Sequence, residues 1–277
     1  MNFVIITHVQ HIEENSKYFG YAPYVREMNI WLKYVNQVTI VAPIEKTKLD
    51  NIHLAYQHKN LIFKEVPNFN LTNFSNSSRT LFKLPIIFLT IFLAMKKADH
   101  IHLRCPGNMG LIGCLVQILF PNIPKTAKYA GNWDPNAKQP STYKLQKWIL
   151  NNTFLTKNMK VLVYGEWDGS SKNIKPFFTA TYSKNKKETI LPRSLKQKIN
   201  FVFVGTLSIG KMPLYAIQLV ENLKKAGQNV QLSLFGDGVL RKELEAYIAT
   251  DKRDEFIFLK GNQNKETIEH AYKESHF

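Results

Sequence analysis

The stretch FVFVGTLSIGKMPLYAIQLVENLKKAG (201–227) has the pattern of an apolar strand, a glycine turn and an amphipathic helix. The same order recurs in VQLSLFGDGVLRKELE (230–245), and FIFLKG (256–261) begins a third unit that runs on to His276 and Phe277. Strands that alternate with helical patterns predict βαβ units and a parallel sheet. Because a doubly wound sheet normally has about five or six strands, we expect a nucleotide-type α/β domain from about residue 196 that is incomplete at Phe277.

The preceding part of the chain shows the same alternation. Polar, basic residues with Pro192 predict a linker at 183–197, and an Asn- and Ser-rich segment predicts a loop at 68–78. We therefore expect an α/β chain of two Rossmann-like domains, 1–190 and 196–277. The predicted strands of the first domain are 3–7, 37–41, 61–66, 100–104, 126–130, 161–164 and 179–182, and its predicted helices are 24–35, 84–95, 109–119 and 142–150.

The charge of the chain is unevenly distributed. The 277 residues carry a net charge of +16, and residues 1–190 contain 24 Lys and Arg against 11 Asp and Glu. Such an excess favours anionic partners, but a solvated lysine surface accounts for it equally. Because no nucleic-acid-binding motif accompanies the charge, we expect no nucleic acid partner.

The two cysteines and the N-terminal sequence indicate the cellular compartment in which the protein is expected. The spacing of Cys105 and Cys114 fits no zinc or redox motif, so we expect buried thiols in a reducing compartment. The N-terminus lacks the basic region and the cleavage pattern of a signal peptide.

The apolar segment LPIIFLTIFLAM (84–95) is flanked by Lys83, Lys96 and Lys97. It is shorter than the roughly 20 residues that span a bilayer. Two interpretations remain, a buried crossover helix and a helix that lies in a membrane interface.

Two predicted strands of the second domain end in residues suited to ligand binding, which in open α/β sheets occurs at the carboxyl ends of the strands. Gly205 follows the first strand of the second domain, and Lys211 precedes a helix that begins at Pro213. Gly236, Asp237 and Gly238 follow the next strand. Glycine permits close approach of a ligand, and a lysine at a helix N-terminus suits a diphosphate. Each signal alone also fits an ordinary turn or a solvated lysine, and neither matches the dinucleotide fingerprint or the phosphate loop.

In their order and spacing these motifs resemble the start of the C-terminal domain of family 4 (group 1) glycosyltransferases, which have the GT-B fold. The resemblance is close over 201–277 and looser over VTIVAP (38–43), HIHLRCPG (100–107) and KYAGNWDP (128–135). It implies two domains across a cleft, with a nucleotide-sugar donor such as a UDP- or GDP-sugar bound by the second. Transfer in that family retains the anomeric configuration.

The resemblance assigns donor-binding positions to Gly205, Thr206, Lys211, Gly236 and Asp237. Lys211 matches the lysine that contacts the donor diphosphate, whereas the matching arginine position holds Thr206. The glycine that follows the family's lysine is replaced by Met212. The paired glutamates that hold the donor sugar would follow Phe277, so we expect the chain to be truncated before that motif.

The remaining candidates belong to the acceptor side. Where the family often has a His-Gly pair, this chain has Tyr129 to Asp134, and Asp134 is our candidate for the catalytic polar group. An Asp before Pro135 is equally suited to capping a turn. His8, after the first strand, is the second catalytic candidate, although a histidine there is often structural. The acceptor-side candidates are Gly20 and Tyr21, placed in a loop, with Arg104 and Asn132.

These expectations define two functions. The first is a retaining glycosyltransferase that transfers a sugar from a nucleotide-sugar to a lipid-linked or polysaccharide acceptor in cell-surface glycan synthesis. The alternative is a non-catalytic fragment or subunit that binds acceptor or membrane and needs a partner to complete the donor domain. No Asp-x-Asp motif is present, so we expect no metal and no cofactor beyond the donor. The expected location is cytoplasmic, peripheral at the inner face of the plasma membrane, where an anionic membrane surface is a further partner.

Overall fold

The structure is a computed structural model that describes residues 1–68, 77–179, 189 and 192–277. It contains two compact units, Met1–Leu49 with His53–Ser183, and Asp50–Ile52 with Lys184–Phe277. Each unit has a parallel sheet with helical connections, which confirms the predicted α/β class.

The first unit is built on a seven-stranded parallel sheet. Seven of the unit's described strands form this sheet, and β2, β3 and β5 form a separate small sheet. The strands are β1 (Asn2–Ile6), β2 (His11–Glu14), β3 (Lys17–Tyr21), β4 (Gln37–Ala42), β5 (His53–Ala55), β6 (Leu61–Glu65), β7 (His100–Cys105), β8 (Lys125–Tyr129), β9 (Met159–Val163) and β10 (Ile174–Pro176). The order across the sheet is β10-β9-β8-β7-β1-β4-β6. Val4, Ile5 and Ile6 of β1 are fully buried, as expected of a central parallel strand covered on both faces.

Four helices cover the two faces of this sheet: α1 (Ala22–Trp31), α2 (Ser77–Met95), α3 (Asn108–Val116) and α4 (Ser141–Asn151). Alternate residues of a strand point to opposite faces. Val4 and Ile6 accordingly share a core with residues of α2, α3 and α4, whereas Phe3 and Ile5 share a core with α1. None of the helices among the described residues is long and apolar enough to cross a membrane.

The structure corrects several predicted boundaries. The 24–35 helix ends at Trp31 and continues as a 3₁₀ turn over Leu32–Tyr34. α2 begins at Ser77 rather than after a loop to residue 78, and it accommodates Pro85 in its interior. The rest of that loop prediction, 69–76, lies outside the described residues. The strand predicted at 179–182 is not found at Thr179, and residues 180–182 lie outside the described residues; β10 instead forms at Ile174–Pro176, where the sequence has no apolar run.

The loop predicted around Gly20 and Tyr21 is instead a strand. β2 and β3 form an antiparallel hairpin, and β5 pairs with β3 on its other side. The two-residue connection is Asn15-Ser16, whose φ angles are 51° and 57°. Positive φ at both central residues is the signature of the type I′ turns that suit hairpins, and an Asn in that position was the sequence signal for it.

A layer of polar side chains is buried between the sheet and α1. Lys128 of β8 donates a hydrogen bond to Glu27 of α1, with Nζ and Oε2 2.6 Å apart, and both side chains are more than nine-tenths buried. In the same layer the His102 ring lies 2.8 Å from the hydroxyl of Thr126. Burial, and then the positive charges of Arg104, His100 and Lys128, lower the pKa of His102 to about 3.

Buried neutral histidines should make the stability of the first unit depend on pH. Burial also lowers the pKa of His11 to about 4, and an unfolded histidine titrates near about 6.5. Because the unfolded state binds more protons than the folded state below that value, stability is complete above about pH 6.5 and falls as the pH falls toward the folded pKa. For His102 alone we expect a loss of about 2 kcal/mol between pH 7 and pH 5.

The test is urea unfolding of wild type and His102→Gln at pH 7 and pH 5, monitored by tryptophan fluorescence. All four tryptophans, at 31, 133, 148 and 167, belong to the first unit. The variant should lose less stability than wild type over this pH range by about 2 kcal/mol. Equal losses in the two proteins would contradict the assignment.

The second unit contains β11 (Ile199–Val204), α5 (Pro213–Lys225), β12 (Val230–Phe235), α6 (Arg241–Ile248), β13 (Ile257–Gly261) and α7 (Lys265–Glu274). Its three strands are parallel in the order β11-β12-β13. After α7 the chain returns to β11, where Val202 N donates to Phe277 O at 2.8 Å and His276 N donates to Asn200 O at 2.7 Å. The Phe277 ring stacks on Phe201. His276 and Phe277 thus pair with β11 on the side away from β12.

The predicted burial of the two cysteines is confirmed. Cys105 and Cys114 are free and buried, with their sulfur atoms 3.8 Å apart. Hydrogen bonding to Cys105 and burial raise the pKa of Cys114, so this thiol is held in its protonated form.

Candidate functional site

The carboxyl edge of the first sheet holds a pocket of about 390 Å³. It is lined by residues that follow four of the strands and by the start of α4. In an open parallel sheet, this is the edge where ligands bind. The lining residues are His8, Gln10, Pro43, Pro67, Asn68, Gly107, Asn108, Met109, Pro140, Thr142 and Tyr143.

His8, a predicted site residue, lies in this pocket against Gly107 at the start of α3. A Cβ at Gly107 would come within 2.7 Å of the His8 ring, and Gly107 has a φ of 152°. Glycine is therefore required there by both space and backbone conformation. The side chain of His8 is exposed to the pocket, with Gly107 packed against one side of the ring. Desolvation by the surrounding protein, and secondly the charge of Arg104, lower the pKa of His8, so the ring is neutral at neutral pH.

Arg104, predicted on the acceptor side, is directed away from this pocket. It lies near the end of β7, and its guanidinium is over the ring of Tyr24, 5.2 Å from the centroid. Its buried Nη1 has no hydrogen-bond partner among the described residues. Arg104 therefore acts on His8 through its charge, and it does not line the pocket.

Asp134 and Asn132 form a turn outside the pocket lining. The backbone N–H of Asp134 donates to Asn132 Oδ1 at 2.9 Å, and Asn136 N–H donates to Asp134 Oδ1 at 2.8 Å. These are the local bonds by which Asn and Asp stabilise turns. The structure gives Asp134 this capping role, and it does not place its carboxylate beside His8 in the pocket.

Gly20 and Tyr21 also lie outside the pocket lining. Gly20 is buried in β3, where a Cβ would approach Val25 Cγ2 to 3.1 Å and the His11 ring to 3.4 Å. Tyr21 is about half exposed, directly before α1. The structure accounts for Gly20 by packing.

In the second unit the carboxyl edge is built from closely packed main chain. Gly236 has a φ of 136°, and a Cβ on it would lie 2.0 Å from the carbonyl oxygen of Gly205. A Cβ on Gly238 would lie 2.4 Å from the carbonyl oxygen of Leu207. Backbone bonds join the same loops, from Leu207 N to Asp237 O and from Gly236 N to Gly261 O. The structure thus brings the predicted donor-side residues Gly205, Gly236 and Asp237 to one edge.

Thr206 and Lys211 follow β11 at this edge, and both are exposed. Lys211 ends a 3₁₀ turn, Ile209–Lys211, just before α5. Met212 has φ 53° and ψ 47°, the left-handed conformation that glycine adopts most readily. Met212 adopts this conformation at a cost of about 1–2 kcal/mol.

Two helices begin at this edge without a side-chain cap, α5 and α6. The first N–H groups of a helix lack partners within it, and they favour anions. At these helix starts the N–H groups of Tyr215 and Arg241 are bonded to Met212 O and Gly238 O. The edge therefore offers an anion two positive helix ends, the hydroxyl of Thr206 and the charge of Lys211.

Arg241 is a residue of this edge that the sequence interpretation missed. It bonds Asp237 at 3.2 Å and Glu245 at 2.7 Å, and these bonds raise its pKa, that to Glu245 most. Arg241 also lies close to Gly261, where a Cβ would meet its Nη1 at 3.3 Å. The signal was available, because Asp237 and Glu245 each lie four residues from Arg241.

No cluster of three or more His, Cys, Asp or Glu suited to a metal ion occurs among the residues that the structure describes. The pocket of the first unit mixes polar residues such as His8 and Asn108 with apolar ones such as Met109 and Pro140, and among the described residues no acidic or basic side chain other than that of His8 lines it.

No protein-family model and no curated protein matches this chain. Solved structures resemble it in fold. Anabaena Alr3699/HepE in complex with UDP and glucose aligns over 95% of this chain and 69% of its own, with 12% identity and a TM-score of 0.59. The lipopolysaccharide outer core galactosyltransferase WaaB aligns over 99% and 71%, with 13% identity and a TM-score of 0.57.

The same fold occurs outside the transferases. A Listeria monocytogenes protein described as a UDP-N-acetylglucosamine 2-epimerase aligns over 99% of this chain and 72% of its own, with 10% identity and a TM-score of 0.57. In the alignment with TarM the chain spans 37% of that protein's length. The chain therefore has parallel, Rossmann-like sheets of the GT-B type, a fold that it shares with glycosyltransferases.

Proposed function

We propose that this chain belongs to a retaining glycosyltransferase that moves a sugar from a nucleotide-sugar to a lipid-linked or polysaccharide acceptor. The observation that carries the proposal is the carboxyl edge of β11, β12 and β13. There, glycines hold two loops in backbone contact, two helices begin without side-chain caps and Lys211 is exposed.

Such an edge suits the diphosphate of a UDP- or GDP-sugar. The positive ends of α5 and α6 favour its oxygens, and Lys211 adds a full charge. Transfer leaves negative charge on the departing diphosphate, which fixed dipoles and a cation stabilise. Thr206 supplies a hydroxyl hydrogen bond but no charge, so more of this stabilisation falls on Lys211.

The pocket at His8 is the proposed acceptor site. Its volume of about 390 Å³ is in the range of small-ligand pockets. A neutral His8 both donates and accepts hydrogen bonds, which suits a sugar hydroxyl. The charge of Arg104 helps to keep His8 neutral, and Asp134 remains a proposal from resemblance alone.

Lys211→Ala should weaken binding of UDP- or GDP-sugars by about 10- to 100-fold, the effect of losing one charge-assisted hydrogen bond. Lys198→Ala is the matched control, because Lys198 precedes β11 and therefore lies at the opposite edge of the same sheet. Isothermal titration calorimetry measures both. Equal weakening in the two variants, or none in Lys211→Ala, would remove Lys211 from the site.

Product analysis separates transfer from the other activities of this fold. Release of free nucleoside diphosphate, with the sugar on an added acceptor, supports the transferase. An epimerised nucleotide-sugar with no transfer favours an epimerase instead. Donor binding with neither product favours the alternative of a non-catalytic subunit, and no donor binding at all contradicts the proposal for the second unit.

A further inference from the structure

The outer surface of α2, α3 and α4 exposes an unusual number of large apolar side chains. Six of them define what we call the three-helix face, and each is more than 40% exposed. α3 packs against both α2 and α4, so the three helices form one surface. The residues are Ile86, Leu89, Leu93, Leu115, Leu119 and Trp148.

α2 is apolar on both of its sides. Ile87, Ile91 and Met95 are buried against the sheet, whereas Leu89 and Leu93 are 54% and 44% exposed on the other side. A helix at a protein surface normally places polar residues opposite its buried stripe. Large apolar side chains exposed on neighbouring helices in this number mark an interaction site.

The charge around the three-helix face is almost entirely positive. The helices of this face and the turn after α2, residues 77–99, 108–119 and 141–151, contain six Lys and Arg and one acidic residue, Asp99. Exposed Lys96 and Lys97 follow α2, and Lys144 lies on α4 next to the exposed apolar residues. Apolar side chains bordered by lysines, with an exposed Trp, are the composition of surfaces that lie in the headgroup region of a membrane.

We propose that the three-helix face docks onto an anionic lipid bilayer. Its occupant is a lipid surface rather than a second copy of this chain, because two identical basic faces would repel each other in a symmetric dimer. Docking through this face does not depend on the donor site proposed above.

The test is co-sedimentation of the full chain with phosphatidylglycerol/phosphatidylcholine vesicles and with phosphatidylcholine vesicles. Wild type should bind the anionic vesicles, and binding should weaken in high salt. Leu89→Glu/Leu93→Glu should reduce the partition coefficient by about tenfold or more for each leucine, because each is buried in the bilayer. Lys96→Gln/Lys97→Gln should reduce it by roughly fivefold per lysine.

The matched control is Ile30→Glu/Tyr34→Glu. Ile30 and Tyr34 are 52% and 81% exposed, and they belong to α1 and its 3₁₀ extension, on the opposite face of the sheet. This pair changes the net charge by the same amount, and it should leave binding unchanged. All variants should keep the wild-type unfolding curve, since every replaced side chain is exposed.

The fluorescence of Trp148 reports directly whether the three-helix face contacts lipid. Trp148 is 60% exposed and is the most exposed tryptophan of the chain, so anionic vesicles should shift the emission maximum to the blue. Trp148→Phe should abolish that shift.

Three results would overturn the proposal. One is failure of wild type to bind anionic vesicles, and another is equal loss of binding in the two glutamate pairs. The third is a dimer or a protein complex that Leu89→Glu/Leu93→Glu disrupts while no vesicle binds, which would assign the face to a protein partner.

Discussion

Gly236→Ala should destabilise the second unit by about 3 kcal/mol or more. Its φ of 136° lies in a region that side chains rarely adopt, and the new Cβ would lie 2.0 Å from the carbonyl oxygen of Gly205. Strained backbone of this kind costs about 1–3 kcal/mol, and a clash with main chain adds to it because no side chain is free to rotate away.

Gly210→Ala is the control for Gly236→Ala. It lies beside the same loop, but nothing is within 4 Å of its added Cβ. Because the tryptophans belong to the first unit, their emission should not change in either variant at low denaturant. Hydrogen exchange of peptides covering β12 measures the effect, and we expect faster exchange in Gly236→Ala alone. Wild-type exchange in both would contradict the close approach of Gly205 and Gly236.

Glu27→Leu should destabilise the first unit by about 3–5 kcal/mol, because it leaves the charge of Lys128 buried without its partner. Lys128 is 2% exposed, and its other described neighbours are the hydroxyl of Thr179 and the rings of Tyr164 and Phe177. None of these supplies a negative charge. Urea unfolding monitored by tryptophan fluorescence measures the loss.

The double variant Glu27→Leu/Lys128→Met separates the ion pair from packing. Replacing both charges with apolar side chains of similar size is often close to neutral. We therefore expect the second substitution to recover most of the stability that the first removes. A double variant as unstable as Glu27→Leu would show that volume, and not charge, governs this position.

Most strands of the two sheets were predictable because they appear as continuous apolar runs, such as FVII (3–6) and QVTIVA (37–42), which are typical of parallel strands. The hairpin was missed because β2 and β3 are short and partly exposed and carry charged residues, so their sequences show no alternation of apolar and polar residues. β10 was missed for a similar reason, since Ile174–Pro176 buries one residue of three. These strands are defined by their pairing with neighbouring strands, and the sequence of each segment alone does not show that pairing.

The position of a candidate site residue was predictable where the order of strands along the chain determines it. Residues after parallel strands meet at one edge, so His8, Gly205 and Gly236 were found from position alone. Asp134 was chosen by resemblance, and its carboxylate caps a turn. The role of Gly107 depends on a contact with His8, 99 residues away in the sequence, and the exposure of Leu89 depends on which side of α2 meets the sheet.

The central position of β1 has a consequence for synthesis on the ribosome. β1 pairs with β4 on one side and with β7 on the other, yet β7 begins at His100. At about 5–20 residues per second, roughly 5–20 s separate the emergence of the two strands. During that time the edge of β1 that later pairs with β7 has no partner strand. Unpaired edges of apolar strands promote aggregation, so we expect the nascent chain to bind a chaperone.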